Sequence, residues 1–410
     1  MLRNNYPEIR LSGYDTEWSL KKLGDITDVK DSSRISNTLW ISNGVPYLRS
    51  SDLSNDNIKG ELFLSKRTYQ EYSTKTGAPS RGDLLFTSGG KIGVTYYKED
   101  DSDVYVQGGS ILYAKTSESE HLDGRFLKSY FDTSILKKYI ENASTGLTIK
   151  HFTLKPAKDT PITIPDLEEQ IKIGLFFKKL DDVISLHQKE LDAFKQTKKG
   201  FLHKMFPKDE ETIPEIRFPE FKGDWKLTTL GEIAEIVRGA SPRPIQNPKW
   251  FDDTSEVGWL RIADVTEQNG RIHRLEQRLS VDGQSKTRVL TKPHLMLSIA
   301  ATVGKPVINY VSTGVHDGFL IFKNPQFDIE FMFQWLEMFR LKWSKYGQPG
   351  SQVNLNSELV RNQILYLPDI KEQIKISRFF EQIDQVISLK EKELEVLKKT
   401  RQGFLQKMFV

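Results

Sequence analysis

Cysteine is absent from all 410 residues, which removes disulfides, thiolate metal sites and a cysteine nucleophile together. No apolar run approaches the roughly 18 residues that a membrane-spanning helix requires. The opening stretch MLRNNYPEIR is polar and has no secretory hydrophobic segment, so a soluble, cytoplasmic protein is expected. Histidine is sparse: the seven residues include no pair four apart around a carboxylate, and no zinc site is supported. Ser88-Gly89-Gly90-Lys91 and Gly304-Lys305 both lack the first glycine of a phosphate loop and the hydroxyl residue after the lysine. Asp181-Asp182 reads as a solvated helix flank and His151 and His273 as surface. With no catalytic constellation in sight, the chain reads as a binder or organiser.

What is present is a repeat. Pro165–Phe206 and Pro368–Phe409 align without a gap and share 25 of 42 positions. A period of 203 residues is far too long for a solenoid unit and marks a duplicated half-protein. Apolar residues step by three and four through Ile173, Phe177, Leu180, Ile184, Leu191 and Phe194, and again through Ile376, Phe380, Ile383, Ile387, Leu394 and Leu397. That is the seam of a coiled coil. Phe201 with Met205 and Phe404 with Met408 continue it, and from Ile173 to Met205 it spans about 48 Å. Asp166 with Glu169, like Asp369 with Glu372, has capping-box spacing. His187, Lys198, Lys390 and Arg401 interrupt the seam, either to fix register or to reach past it to water. Gly200 and Gly403 mark either a close approach or a break.

Upstream of each helix the duplication continues. Pro7–Arg10 and Pro214–Arg217 both read PEIR. Trp18 is followed by Leu23-Gly24-Asp25-Ile26, and Trp225 by Leu230-Gly231-Glu232-Ile233. Between these shared ends, Val45–Leu53 matches Val257–Val265, Arg81–Phe86 matches Lys292–Leu297, and Val106–Tyr113 matches Val315–Phe322; all read as strands. Gly124–Ile140 and Asp328–Trp343 read as helices packing on a sheet. The expected organisation is a mixed globule at 1–165, a helix at 166–206, a second globule at 207–367 and a second helix at 368–410.

A net charge of +4 favours an anionic partner without proving one. Residues 271–292 hold six Lys or Arg against two acids, and residues 59–81 hold five against two. Both are interleaved with Ser, Thr and Gln, a mixture suited to phosphates and base edges. Arg238, Arg243 and Lys249 form a further cluster in a Pro-rich loop, whose Asn247-Pro248-Lys249-Trp250 reads as a turn. The expected contacts are Arg34, Arg49, Lys66, Arg67, Lys91 and Lys150 in the first globule. In the second they are Arg243, Arg261, Arg274, Arg278, Lys286, Arg288 and Lys305. Arg49 and Arg261 follow apolar strand residues, which leaves a structural role open to both.

Taken together, the Trp-to-Ile starts, the Pro-x-hydrophobic-x-Glu-Gln helix openings (Pro165–Gln170, Pro368–Gln373) and the Phe-Phe-x-x-hydrophobic-Asp runs that follow (Phe176–Asp181, Phe379–Asp384) resemble the specificity subunit of a type I restriction–modification system. The resemblance spans essentially the whole chain. It implies an α+β protein in which two mixed α/β target-recognition domains are separated by a pair of long antiparallel coiled-coil helices, with an internal pseudo-two-fold duplication. Each domain would read half of a bipartite double-stranded DNA target. Two methyltransferase subunits would dock on the helices and methylate adenine, and motor-nuclease subunits would complete the restriction enzyme. S-adenosylmethionine, ATP and magnesium would belong to those partners, with no cofactor or metal on this non-catalytic chain. A specificity or scaffold protein of another defence system, or a coiled-coil scaffold binding only proteins, remains the alternative.

Overall fold

In the computed structural model the described residues are 5–55, 58–146, 150–208, 211–300, 302–346 and 355–410, the side chains of 344–346 excepted; the first four residues of the polar opening stretch therefore lie outside them. Two helices of 38 residues each dominate the chain, Leu167–Lys204 and Ile370–Lys407. The chain divides into two compact units, residues 1–188 with 392–410, and residues 189–391. Each unit therefore holds a globule and a stretch of both long helices.

In the first unit the helices run antiparallel. Phe176 meets Phe404 edge-on at 5.1 Å, and His187 reaches Glu393 at 3.7 Å. In the second, Phe201 meets Phe379 edge-on at 5.0 Å, and Lys195 pairs with Glu391 at 2.6 Å. The polar seam residues are all paired. Arg401 holds Asp181 and reaches Asp132 at 2.6 Å, Lys198 holds Asp384 at 2.6 Å, and Lys390 reaches Glu190 at 3.1 Å. Charges that must meet opposite charges fix the register of the seam, and Asp181 is part of it rather than of a solvated flank.

Ile173, Phe177, Leu191, Ile376, Phe380, Ile387 and Leu394 are buried, while Leu180, Ile184, Ile383 and Leu397 are half-buried. Phe194 departs from the expected seam and stays 38% exposed. Its neighbours Lys195 and Lys198 turn to Glu391 and Asp384, which makes that face a charged rim. Gly200 and Gly403 mark neither close approach nor break: both helices continue through them, with open space where a Cβ would sit. The close approach falls at Gly174, where a Cβ would come within 2.7 Å of the Phe126 amide nitrogen.

The first globule carries two four-stranded sheets. One runs in the order Val29–Asp31, Ile111–Ala114, Leu84–Thr87, Thr95–Tyr97, and the other Trp40–Ile41, Phe63–Leu64, Val45–Leu48, Tyr105–Val106. The second globule has a five-stranded sheet, Glu235–Arg238, Phe319–Lys323, Leu295–Ser298, Pro306–Asn309, Arg271–Ile272, and a three-stranded one, Gly258–Trp259, Thr313–Val315, Arg288–Leu290. The segments read as strands are shorter than expected. After Leu48 and after Leu260 the chain turns into the short helices Ser50–Ser54 and Ile262–Glu267. The cause is local: Asp52 accepts from the Arg49 amide at 2.7 Å and Asp264 from the Arg261 amide at 2.9 Å, three residues back, as in an N-terminal cap. Similarly, Gly124–Ile140 is two helices, Gly124–Phe131 and Ser134–Ala143, the second capped by the Thr133 hydroxyl.

The repeated motifs find each other in space. Asp166 caps the first long helix through the Glu169 amide at 2.9 Å, and Asp369 caps the second through the Glu372 amide at 3.0 Å. In place of the reciprocal arm of a capping box, each glutamate carboxylate is clamped by the arginine of PEIR. Arg10 donates to Glu169 at 2.8 and 2.7 Å, and Arg217 to Glu372 at 2.7 and 2.8 Å. Gln170 accepts from the Asp123 amide and Gln373 from the Asp328 amide, tying each helix start to the cap of a globule helix. Trp18 packs with Phe126 and with Phe409 from the end of the chain, at 5.9 and 6.3 Å. Trp225 packs with Phe331 and Phe206, at 6.0 and 6.2 Å. Rings at these separations add to the burial of their area.

Candidate nucleic-acid interface

The thirteen expected contact residues separate into three groups by what their side chains already hold. Arg34, Lys66, Arg67, Lys150 and Lys286 are exposed, and their side chains have no ion pair or hydrogen bond among the described residues. Lys66 and Arg67 begin the helix Lys66–Thr76, which the Ser65 hydroxyl caps through the Thr68 amide at 3.1 Å. Lys91 is exposed as well, in the turn after Leu84–Thr87, where the Thr87 hydroxyl donates to the Lys91 carbonyl at 2.5 Å and accepts from the Val94 amide at 3.0 Å.

The second group is already paired. Arg49 forks onto Asp52 at 3.1 and 3.0 Å and meets Glu61 at 2.6 Å. Arg261 forks onto Asp264 at 3.1 and 2.8 Å and meets Glu276 at 3.5 Å. The carboxylates raise both guanidinium pKa values. Arg274 pairs with Glu267, Arg278 donates to the Ser255 carbonyl at 2.7 Å, and Arg288 to the Arg238 carbonyl at 2.7 Å. Arg243 donates to Asp317 at 2.7 Å. Of its neighbours in the Pro-rich loop, Arg238 donates to the Asp317 carbonyl, and Lys249 lies over the Trp250 ring at 4.1 Å.

The third group is a single residue, Lys305, and here the expectation fails. It is 9% exposed, bonded to Asn269 at 2.8 Å and to Glu337, and its burial lowers its pKa. A charge so placed is a core pair, since burial is tolerated only with a partner. A salt titration separates these groups. Lys66→Ala is expected to reduce the slope of log affinity for duplex DNA against log salt by about 1, while Lys305→Met leaves the slope unchanged. Equal effects would return Lys305 to the surface set.

Residues the sequence reading passed over sit beside the arginines. In the second unit Ser241, Arg243, Ile245, Trp259, Arg261, Ile262, His316 and Asp317 line a cavity of about 320 Å³. Asp317 is its hub: it accepts from the Ser241 hydroxyl at 2.7 Å and from Arg243, and the Ser241 bond holds its pKa below the usual carboxylate range. His316 packs against Trp259 and Phe319 at 5.7 and 4.8 Å, and burial lowers its pKa. The only sequence signal for this cavity was the alignment of the two halves, which placed Trp259 opposite Tyr47 and His316 opposite Gln107. Among the described residues no group of three or more His, Asp or Glu could hold a metal ion, and no helix is long and apolar enough to cross a membrane.

Comparison with known proteins agrees with the duplicated layout. A putative type I restriction enzyme MjaX specificity subunit from Methanocaldococcus jannaschii is 22% identical over 98% of this chain and 95% of its own. The type I restriction enzyme MjaVIII specificity subunit of the same organism is 22% identical over 67% of each chain. Among solved structures, the S subunit of a type I restriction-modification system from M. genitalium superposes with a TM-score of 0.63 at 16% identity, covering 99% of both chains, which is a likeness of fold. The family model described as Type I restriction modification DNA specificity domain matches twice, at residues 15–196 and 222–399, once over each copy of the repeat. The chain belongs to the type I restriction modification DNA specificity domain family.

Proposed function

We propose that each globule reads one half of a bipartite duplex DNA target, and that the long helices set the unspecified spacer between the halves. Family membership makes this chain the DNA sequence-specificity component of a type I restriction–modification system, a non-catalytic subunit. The observation that carries the bipartite reading is the doubled clamp: each globule has its own Arg–Glu tie to a helix start and its own aromatic box, so each is a complete copy of one mount. Similar mounts carrying different loops suit two readers of different sequence. Half-sites read from one face of a duplex would lie about one turn apart, ~34 to 36 Å.

On this reading the partners are double-stranded DNA, two adenine methyltransferase subunits docked on the helical regions, and motor-nuclease subunits in the restriction complex. S-adenosylmethionine, ATP and magnesium belong to those partners, and the assembly works in the cytoplasm. Target-recognition domains at 1–165 and 207–367, with helices at 166–206 and 368–410, are the functional division.

The test is an exchange. Residues 27–150 are replaced by the equivalent segment of another such protein, the chain is co-expressed with its methyltransferase partner, and the modified adenines are mapped by sequencing. One half-site is expected to change while the other and the spacer persist. Alteration of both half-sites would reject independent reading.

A further inference from the structure

The cavity beside Arg243 brings two arginines and a histidine together around one carboxylate, that of Asp317. Each Asp317 oxygen already accepts one bond, from the Ser241 hydroxyl and from Arg243. Arg243 meets that carboxylate through one Nη, and its side chain is otherwise largely exposed. Arg261 is held more firmly, by a two-pronged bond to Asp264 and a contact with Glu276. His316 supplies the third donor. Its Nδ1 accepts the Gly318 amide at 2.9 Å, so that nitrogen carries no proton and Nε2 carries the ring's hydrogen. Burial favours this neutral form, and the rings of Trp259 and Phe319 hold it in place. The cavity lining thus carries an imidazole N–H and two guanidinium groups, and its one carboxylate already takes a hydrogen bond at each oxygen.

Base edges differ in what they ask for. In the major groove guanine presents two acceptors, N7 and O6, whereas adenine presents an acceptor and a donor, and cytosine a donor. A lining in which donors outnumber acceptors matches guanine best. We propose that this cavity is the base-reading subsite of the second globule, that it selects a guanine, and that Arg243 and His316 are its specificity-determining residues. The inference rests on the bipartite reading above and assigns a base to one of its two halves.

The first copy has a built-in comparison. Gln107 stands where His316 stands, following the paired residues Tyr47–Tyr105 and Leu48–Val106 as His316 follows Trp259–Gly314. Gln carries both a donor and an acceptor, the pattern that matches adenine N6 and N7. The first globule therefore reads a different base at the equivalent place, although both keep the anchored arginine, Arg49 or Arg261.

Co-expression of full-length variants with the methyltransferase partner, followed by mapping of modified adenines, tests the assignment. The half-site belonging to the second globule is the one that survives exchange of residues 27–150. In the unaltered protein it is expected to contain a guanine. Arg243→Ala is expected to lower discrimination at that guanine by roughly 10- to 100-fold, and His316→Gln to shift the preference there towards adenine. The first half-site stays intact in both and reports that the chain is folded and assembled. A second half-site that keeps its guanine in both variants overturns the inference, as does a uniform loss of modification with no change of motif, which would make the cavity a phosphate contact. If the unaltered protein gave no bipartite motif, the underlying reading would fail instead, and the two failures are distinct.

Discussion

Replacing Arg10 by Met is expected to lower the unfolding free energy by about 3 kcal/mol, among the largest effects available to a single substitution outside the core. The Glu169 side chain is fully buried and Arg10 is 12% exposed, so removal of the guanidinium leaves a desolvated carboxylate without its two charge-assisted bonds. Arg217→Met is expected to act equally on the second unit, where Glu372 is 1% exposed. The cost arises from the orphaned charge, so the double replacement Arg10→Met with Glu169→Met should restore most of the stability. Urea unfolding of the full chain, followed by tryptophan fluorescence, checks both statements. Trp18 and Trp225 sit in the two cores and report on both units. A loss below about 1 kcal/mol, the range of exposed pairs such as Lys172–Glu168, would show that the clamp contributes no more than a surface ion pair.

The second large effect concerns spacing. Insertion of one heptad into both long helices, after Gln188 in the first and before Lys392 in the second, is expected to lengthen the unspecified spacer of the DNA target while leaving both half-sites unchanged. Each helix is unbroken through the point where the two compact units divide, and seven residues per helix preserve the seam period. An insertion nearer Thr197 would instead pull Lys198 from Asp384 and Phe201 from Phe379, disturbing the second unit itself. Methylation mapping of the variant reads the outcome. Altered half-sites at constant spacing would mean that the helices do not set the distance.

How much of this was legible in the sequence differs by level. The duplication, the helices and the family resemblance rest on residues repeated at matching places in the two halves, which can be seen without any structure. The clamp did not show itself, because PEIR and the glutamate it holds lie 159 residues apart and each looked complete as a local motif. Glu169 and Glu372 had the spacing of a capping box, and only the position of Arg10 and Arg217 reveals that their carboxylates face elsewhere. Asp52 and Asp264 misled in the other direction: a single capping carboxylate converts the second half of an apparent strand into a helix. At the candidate interface, counting cations could not separate Lys66, which is free, from Lys305, which is consumed by Glu337. His316 escaped notice because its environment is made by a glycine amide two residues away and by a tryptophan from another strand.

The Ile9 amide bonds to the Lys407 carbonyl at 2.9 Å, just as the Ile216 amide bonds to the Lys204 carbonyl at 2.8 Å within the continuous stretch that joins the two copies. Phe409 correspondingly fills in the first core the place that Phe206 fills in the second. Topologically the polypeptide has two equivalent joints, one covalently continuous and the other closed by the Ile9–Lys407 hydrogen bond and by packing. The core built on each copy is thus completed by the helix end of the other copy.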